Sequence, residues 1–163
     1  TTVPNVGRYP RGIVVSPDSR YAYVSVMGES HIAKVDLQAG TVVGTIEVGR
    51  GPRHVVLDPE GRYLYASLNH LGEVVKVDLS NDTVVARFAT GVQARSVAIS
   101  NDGTALYVVN YESNTVSALR AADLSVLQTI ETGVHPIGIT YDGMTGDVWV
   151  AIYTGQLLRL SPV

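Results

Sequence analysis

Two sets of single residues recur through the chain at one fixed interval. Gly7, Gly49, Gly91 and Gly133 stand 42 apart (49−7, 91−49, 133−91), and Tyr23, Tyr65, Tyr107 and Trp149 keep the same step. Further columns hold the register without a gap: Pro10, Pro52, Ala94, Pro136; Ile13, Val55, Val97, Ile139; Val24, Ala66, Val108, Val150. A chain with so strict a period is a stack of equivalent units, each burying its faces against its neighbours.

Within one unit the local code is that of strands. Residues 53–57, 63–68, 73–79 and 83–89 are short and rich in β-branched and aromatic side chains. Asp58-Pro59-Glu60-Gly61 and Ser80-Asn81-Asp82 supply turns between them. No long window keeps a 3.6-residue apolar period, so no long helix is expected. The unit is therefore a four-stranded antiparallel meander, with strands A to D from first to last. Its strands carry apolar residues on both faces and need neighbours on both sides, which radial stacking provides. The expected fold is all-β: a β-propeller of four-stranded antiparallel blades. Strict register argues against a sandwich, and the frequent hairpin turns argue against a parallel β-helix.

The blades are placed at about 8–49, 50–91, 92–133, and 134–163 completed by 1–7. Asn5-Val6-Gly7 matches Glu47-Val48-Gly49, the end of a D strand, whereas the last repeat stops after strand C. Pro4 suits an outer edge strand. These complementary ends have three readings: a closed four-bladed ring, two chains sharing an eight-bladed ring, or a piece of a longer protein. The expectation is half of a larger, seven- or eight-bladed ring, with a homodimer as one way of completing it.

The segments Ala105-Leu106-Tyr107-Val108-Val109-Asn110 and Tyr63-Leu64-Tyr65-Ala66-Ser67-Leu68-Asn69, with the turn Ser16-Pro17-Asp18-Ser19-Arg20, resemble the YVTN β-propeller repeat of YncE-like and surface-layer proteins. The resemblance covers the whole chain, with Asp142-Gly143-Met144 departing from the usual turn in the fourth repeat. It implies a seven- or eight-bladed ring that is exported to the periplasm, cell surface or medium.

Function is less constrained. A net charge of −3 argues against a non-specific nucleic-acid binder, and no apolar run reaches the length of a membrane span. There is no cysteine and no Gly-x-Ser-x-Gly nucleophile turn, so catalysis is not expected, nor is a metal or other cofactor. Candidate site residues gather where the D-to-A and B-to-C loops share one end of the ring, here called the top. Arg11, Arg53 and Arg95 stand 42 apart at the start of strand A, with Ile137 breaking the series. Three guanidinium groups near one axis suit a carboxylate or phosphate, unless loop carboxylates such as Glu29 or Glu112 neutralise them. His54, His135, Asn69, Asn110, Tyr111 and Tyr153 complete the tentative ligand-binding set. The leading expectation is a binding or scaffold module that holds an anionic small molecule, glycan or protein loop. A lactonase- or lyase-like enzyme using His54 or His135 as acid or base is one alternative, and a structural surface or assembly domain is another.

Overall fold

The first three repeats form the expected four-stranded meander, and the fourth its first three strands, because the apolar runs are separated by turns that close on themselves. In the first A-to-B turn the Asp18 carboxylate accepts the Ser16 hydroxyl at 2.6 Å and the Arg20 N–H at 3.0 Å. The third repeat rebuilds the same turn from Ser100 and Asp102. These bonds, the serine hydroxyl foremost, hold both carboxyls below the ordinary aspartate value.

The computed structural model describes residues 2–161. Blade 1 comprises β1 (Pro10–Val15), β2 (Tyr21–Val26), β3 (His31–Asp36) and β4 (Thr41–Glu47). Blade 2 comprises β5 (Pro52–Leu57), β6 (Tyr63–Leu68), β7 (Glu73–Asp78) and β8 (Thr83–Ala89). Blade 3 comprises β9 (Ala94–Ile99), β10 (Ala105–Asn110), β11 (Thr115–Arg120) and β12 (Val126–Glu131). Blade 4 comprises β13 (Pro136–Tyr141), β14 (Val148–Ile152) and β15 (Gln156–Leu160). Every sheet is an antiparallel meander in chain order. The first strands pack successively, β1 on β5, β5 on β9 and β9 on β13. The result is an open arc of four blades, half of a larger propeller. Among the described residues no helix is long and apolar enough to cross a membrane.

The core lies between blades. Tyr23, Ile32, Val55 and Leu64 fill the first interface; Tyr65, Val97 and Leu106 the second; Tyr107, Val150 and Ile152 the third. The aromatic column thus marks the side chain that each blade presents to the next. Polar links reinforce it. The Tyr65 hydroxyl donates to the Ala121 carbonyl of the following blade at 2.9 Å, and the Lys34 ammonium reaches Asp82 at 3.0 Å. Lys76 repeats that link by donating to the Ala122 carbonyl, 3.9 Å from the Tyr63 ring centroid, and burial pushes its ammonium below the usual lysine value.

At the two ends of the arc the same columns are left open. Ile13 is 65% exposed, whereas its repeat partners Val55 and Val97 are 2% and 1% exposed. Residues 2–9 form no strand, and Val3 and Val6 lie against the outer face of blade 1 beside Ala22, Val24 and Val35.

Candidate functional site

The inner strands are not smooth. β1, β5, β9 and β13 each shift register against their neighbour just after the proline column, between Pro10 and Ile13, Pro52 and His54, Ala94 and Val97, and Pro136 and Gly138. Arg11, Arg53 and Arg95 stand within those irregularities. A bulge re-aims the side chain it carries, so the fold itself turns the arginine column toward the axial mouth.

A second column fixes the arginine backbones. The Ser25 hydroxyl donates to the Arg53 carbonyl at 2.8 Å and accepts the Gly12 N–H at 2.7 Å. Ser67 hydrogen-bonds the Arg95 carbonyl in the same way and accepts the His54 N–H. Val109 has no hydroxyl to continue this column, and Ser96 instead holds the Ile137 carbonyl at 2.6 Å. Gly12 is required for close approach, because a Cβ there would sit 2.8 Å from the His54 Cα.

Arg11, Arg53 and Arg95 meet His54 and Ser96 around a cleft of about 150 Å³ at the inner edge of the arc. Burial, then Arg95, then Arg11 hold the Arg53 guanidinium below its ordinary value, the sign of cations gathered without counter-charge. Among the described residues none of the three has a carboxylate at ion-pair distance. Glu29 and Glu112 do not neutralise them: Glu29 accepts the Arg8 N–H at 3.1 Å and faces His31 at 3.3 Å, and Glu112 lies 3.7 Å from His135. Arg53 touches the Met27 sulfur at 3.5 Å.

Arg95 leads to a second group. Its guanidinium lies 4.3 Å over the Tyr111 ring, which stacks on the His135 imidazole at 4.4 Å and 10°. Arg95, Tyr111, His135 and Glu112 therefore form one continuous stack beside the axial cleft. His135 holds a left-handed backbone with φ of 59°, as do Tyr9 (56°), Gly51 (74°) and Gln93 (57°), all one repeat apart. Their carbonyls accept the N–H of Tyr153, Met27, Asn69 and Tyr111 respectively, so this geometry belongs to the blade. Glycine is the relaxed choice at such a position, and a non-glycine residue costs about 1 kcal/mol. Tyr9, Gln93 and His135 depart from it.

The other expected residues lie differently. Asn110 is fully buried and donates to Thr115 and Ser117, while its Oδ1 is buried without a partner among the described residues. Asn69 is buried and donates to the Ala94 carbonyl at 3.2 Å. Both amides brace loops. Tyr153 is exposed on the loop between β14 and β15. Sequence reasoning missed the serine column, although Ser25 and Ser67 are themselves 42 apart (67−25).

His54 is held in one tautomer. Its Nδ1 accepts the Val97 N–H at 3.3 Å, so the neutral ring carries its proton on Nε2. Burial first and Arg53 second keep its pKa below 6.5. The unfolded chain takes up a proton near pH 6.5 that the folded chain refuses, so stability is fully present above about that pH and falls as pH drops toward the lowered folded value. Denaturation midpoints measured between about pH 5 and 8 are expected to show this slope, and His54→Gln is expected to flatten it.

Comparison with known proteins adds the family. The profile of the cytochrome D1 heme domain matches residues 54–154, and that of the lactonase, 7-bladed beta-propeller, matches residues 5–87. A solved structure, hydrazine synthase of Kuenenia stuttgartiensis, superposes with a TM-score of 0.77 at 20% identity over 93% of this chain, which speaks to the fold alone. The chain spans 54% of that structure's length. No curated protein matches. The blade repeat expected from the YVTN resemblance is present, and the families whose profiles match are these two. The expectation of a module without chemistry is overturned, above all by the cytochrome D1 match. That expectation rested on missing linear motifs, but a propeller gathers its side chains from separate blades, where spacing along the chain does not show them. The profiles cover 101 and 83 of the 163 residues, and the chain belongs to the β-propeller families they describe, the cytochrome D1 heme domain and the seven-bladed lactonase.

Proposed function

We propose that this chain is the substrate-binding part of a propeller enzyme that hydrolyses a lactone bearing a carboxylate or phosphate. The observation that carries the reading is the group of three arginines at the axial mouth with no carboxylate to neutralise them. The arginines hold the anionic substituent, and the His54 Nε2–H is a fixed donor beside them. The stack next to Arg95 supplies the acid and base. With Glu112 near Nε2 of His135, Nδ1 is the nitrogen left to take a proton. Water adds its oxygen to the lactone carbonyl carbon as its proton passes to His135, and the tetrahedral oxyanion sits against guanidinium charge. The ring C–O bond then breaks, and the departing oxygen takes the proton back from His135.

A heme, which the name of the other family raises, finds a poorer fit. Iron needs a ligand with an open lone pair. The imidazole at the axial cleft, His54, has its Nδ1 lone pair on the Val97 N–H and a proton on Nε2. The arginines would suit the carboxylates of such a group, but among the described residues the axial cleft itself offers iron no open lone pair, and the free Nδ1 of His135 lies in the neighbouring stack.

Proton release from anionic and neutral lactones of equal ring size tests the reading. Anionic lactones are expected to turn over with the lower KM. His135→Gln is expected to lower kcat by about 10²–10⁴ with little change in KM, the usual worth of a positioned acid–base group. Equal turnover of charged and neutral lactones, or an unaffected His135→Gln variant, would sink it.

A further inference from the structure

The cleft between the top loops of blades 1 and 2 opens beside the arginine mouth. It has a volume of about 560 Å³, and Tyr9, Arg11, Met27, His31, Arg50 and His70 line it. Arg11 borders both this cleft and the axial one, and Met27 touches Arg53, so the two spaces adjoin. Arg11 and Arg50 have no carboxylate at ion-pair distance among the described residues. The one carboxylate here, Glu29, is already engaged by the Arg8 N–H and by His31.

Tyr9 is the main feature of this cleft. It is 70% exposed, yet its ring is seated on Gly28, where an added Cβ would come within 2.8 Å of the tyrosine Cδ2. His70 is seated likewise on Gly51, whose Cβ would fall 2.6 Å from the imidazole. A large aromatic ring is thus held at the surface on a left-handed residue where the fold favours glycine.

The repeat provides an internal control. The corresponding space between blades 2 and 3 measures about 680 Å³ and is lined by Asn69, Leu71, Thr90, Val92 and Gln93 among others, with no guanidinium and no aromatic ring except His70. Val92 stands in place of Arg50 and Gly51 in place of Tyr9, each 42 residues on. Blade geometry therefore does not demand the side chains of the first cleft.

We infer that this cleft is a second subsite, taking an aromatic or heteroaromatic ring on Tyr9 and Met27, flanked by Arg50 and His70, while the anionic group of the same ligand lies on Arg11, Arg53 and Arg95. The inference rests on the anion reading of the axial mouth. An aromatic ring fits better than a sugar. Sugar hydroxyls need amide and carboxylate partners, and this lining has no Asn, Gln or Asp and no free carboxylate, whereas guanidinium and tyrosine faces stack on flat π systems.

The test uses the whole chain and three probes, inorganic phosphate, cyclohexyl phosphate and 2-naphthyl phosphate, with affinities read by calorimetry. The naphthyl ester is expected to bind at least about tenfold more tightly than the other two, the range for one stacked ring. Tyr9→Gly and Arg50→Ala are expected to abolish that advantage while leaving inorganic phosphate affinity unchanged, and Tyr9→Phe to keep it. The melting temperature of Tyr9→Gly is expected not to fall, because glycine suits the left-handed position, and this separates lost recognition from lost folding. Equal affinity for all three probes would overturn the subsite and leave the axial reading standing. Binding of none of them would overturn both. An advantage for the naphthyl ester that survives Tyr9→Gly would also overturn the subsite.

Discussion

Replacing Arg53 and Arg95 together by alanine is expected to weaken binding of a carboxylate or phosphate ligand by about 10²–10⁴, at about 1.5–3 kcal/mol for each charge-assisted contact. Fold stability should not suffer in proportion. Neither arginine has a carboxylate partner among the described residues, and Arg53 is held below its ordinary pKa by burial and by the other two arginines. Removing crowded like charges relieves repulsion, so the double variant is expected to unfold at an equal or higher temperature when no anion is present. Native protein should gain stability as phosphate is added at constant ionic strength, by mass action on the folded state, and the double variant should not. Thermal scans with and without phosphate check both halves. A variant that loses stability without anion, or gains as much from phosphate as the native chain, would show that these arginines brace the blade tops.

The second large effect concerns the aromatic column. Tyr107→Ala is expected to cost about 3–5 kcal/mol, because the side chain is 1% exposed between blades 3 and 4 and lies beside the Tyr141 ring at 6.4 Å. Trp149→Ala, at the same place in the next repeat, is expected to cost less than about 1.5 kcal/mol, since Trp149 is 36% exposed on the outer face of blade 4. Denaturant unfolding of the two variants gives the comparison. The contrast exists only while blade 4 has no neighbour. Once further blades cover that face, Trp149 becomes a buried interface residue like Tyr107, and the two costs should converge. Concentration-dependent convergence would identify a second copy of the chain as the cover.

Much of this was legible before any coordinates. The residues that make a blade are local, and their code repeats: β-branched runs, a Ser-x-Asp turn, an aromatic that faces the next blade. Arg11, Arg53 and Arg95 were also visible as a column. The serines that hold their carbonyls were not seen, because a hydroxyl in a strand looks like any other strand residue until its acceptor on the neighbouring blade is known. The buried partners of Asn69 and Asn110 were equally out of view, since a loop amide does not show in sequence which carbonyl or hydroxyl it will meet.

The sequence by itself determined the unit, its strand order, its turns and its period, because each rests on contacts within some 42 residues. Only the tertiary structure decided that the arginines stand without counter-charge, that Arg95, Tyr111 and His135 form one stack, and that the clefts either side of blade 2 differ in chemistry. These facts depend on how far one blade is rotated from the next and on where each bulge aims its side chain. Interactions between blades set those quantities, and no single repeat encodes them.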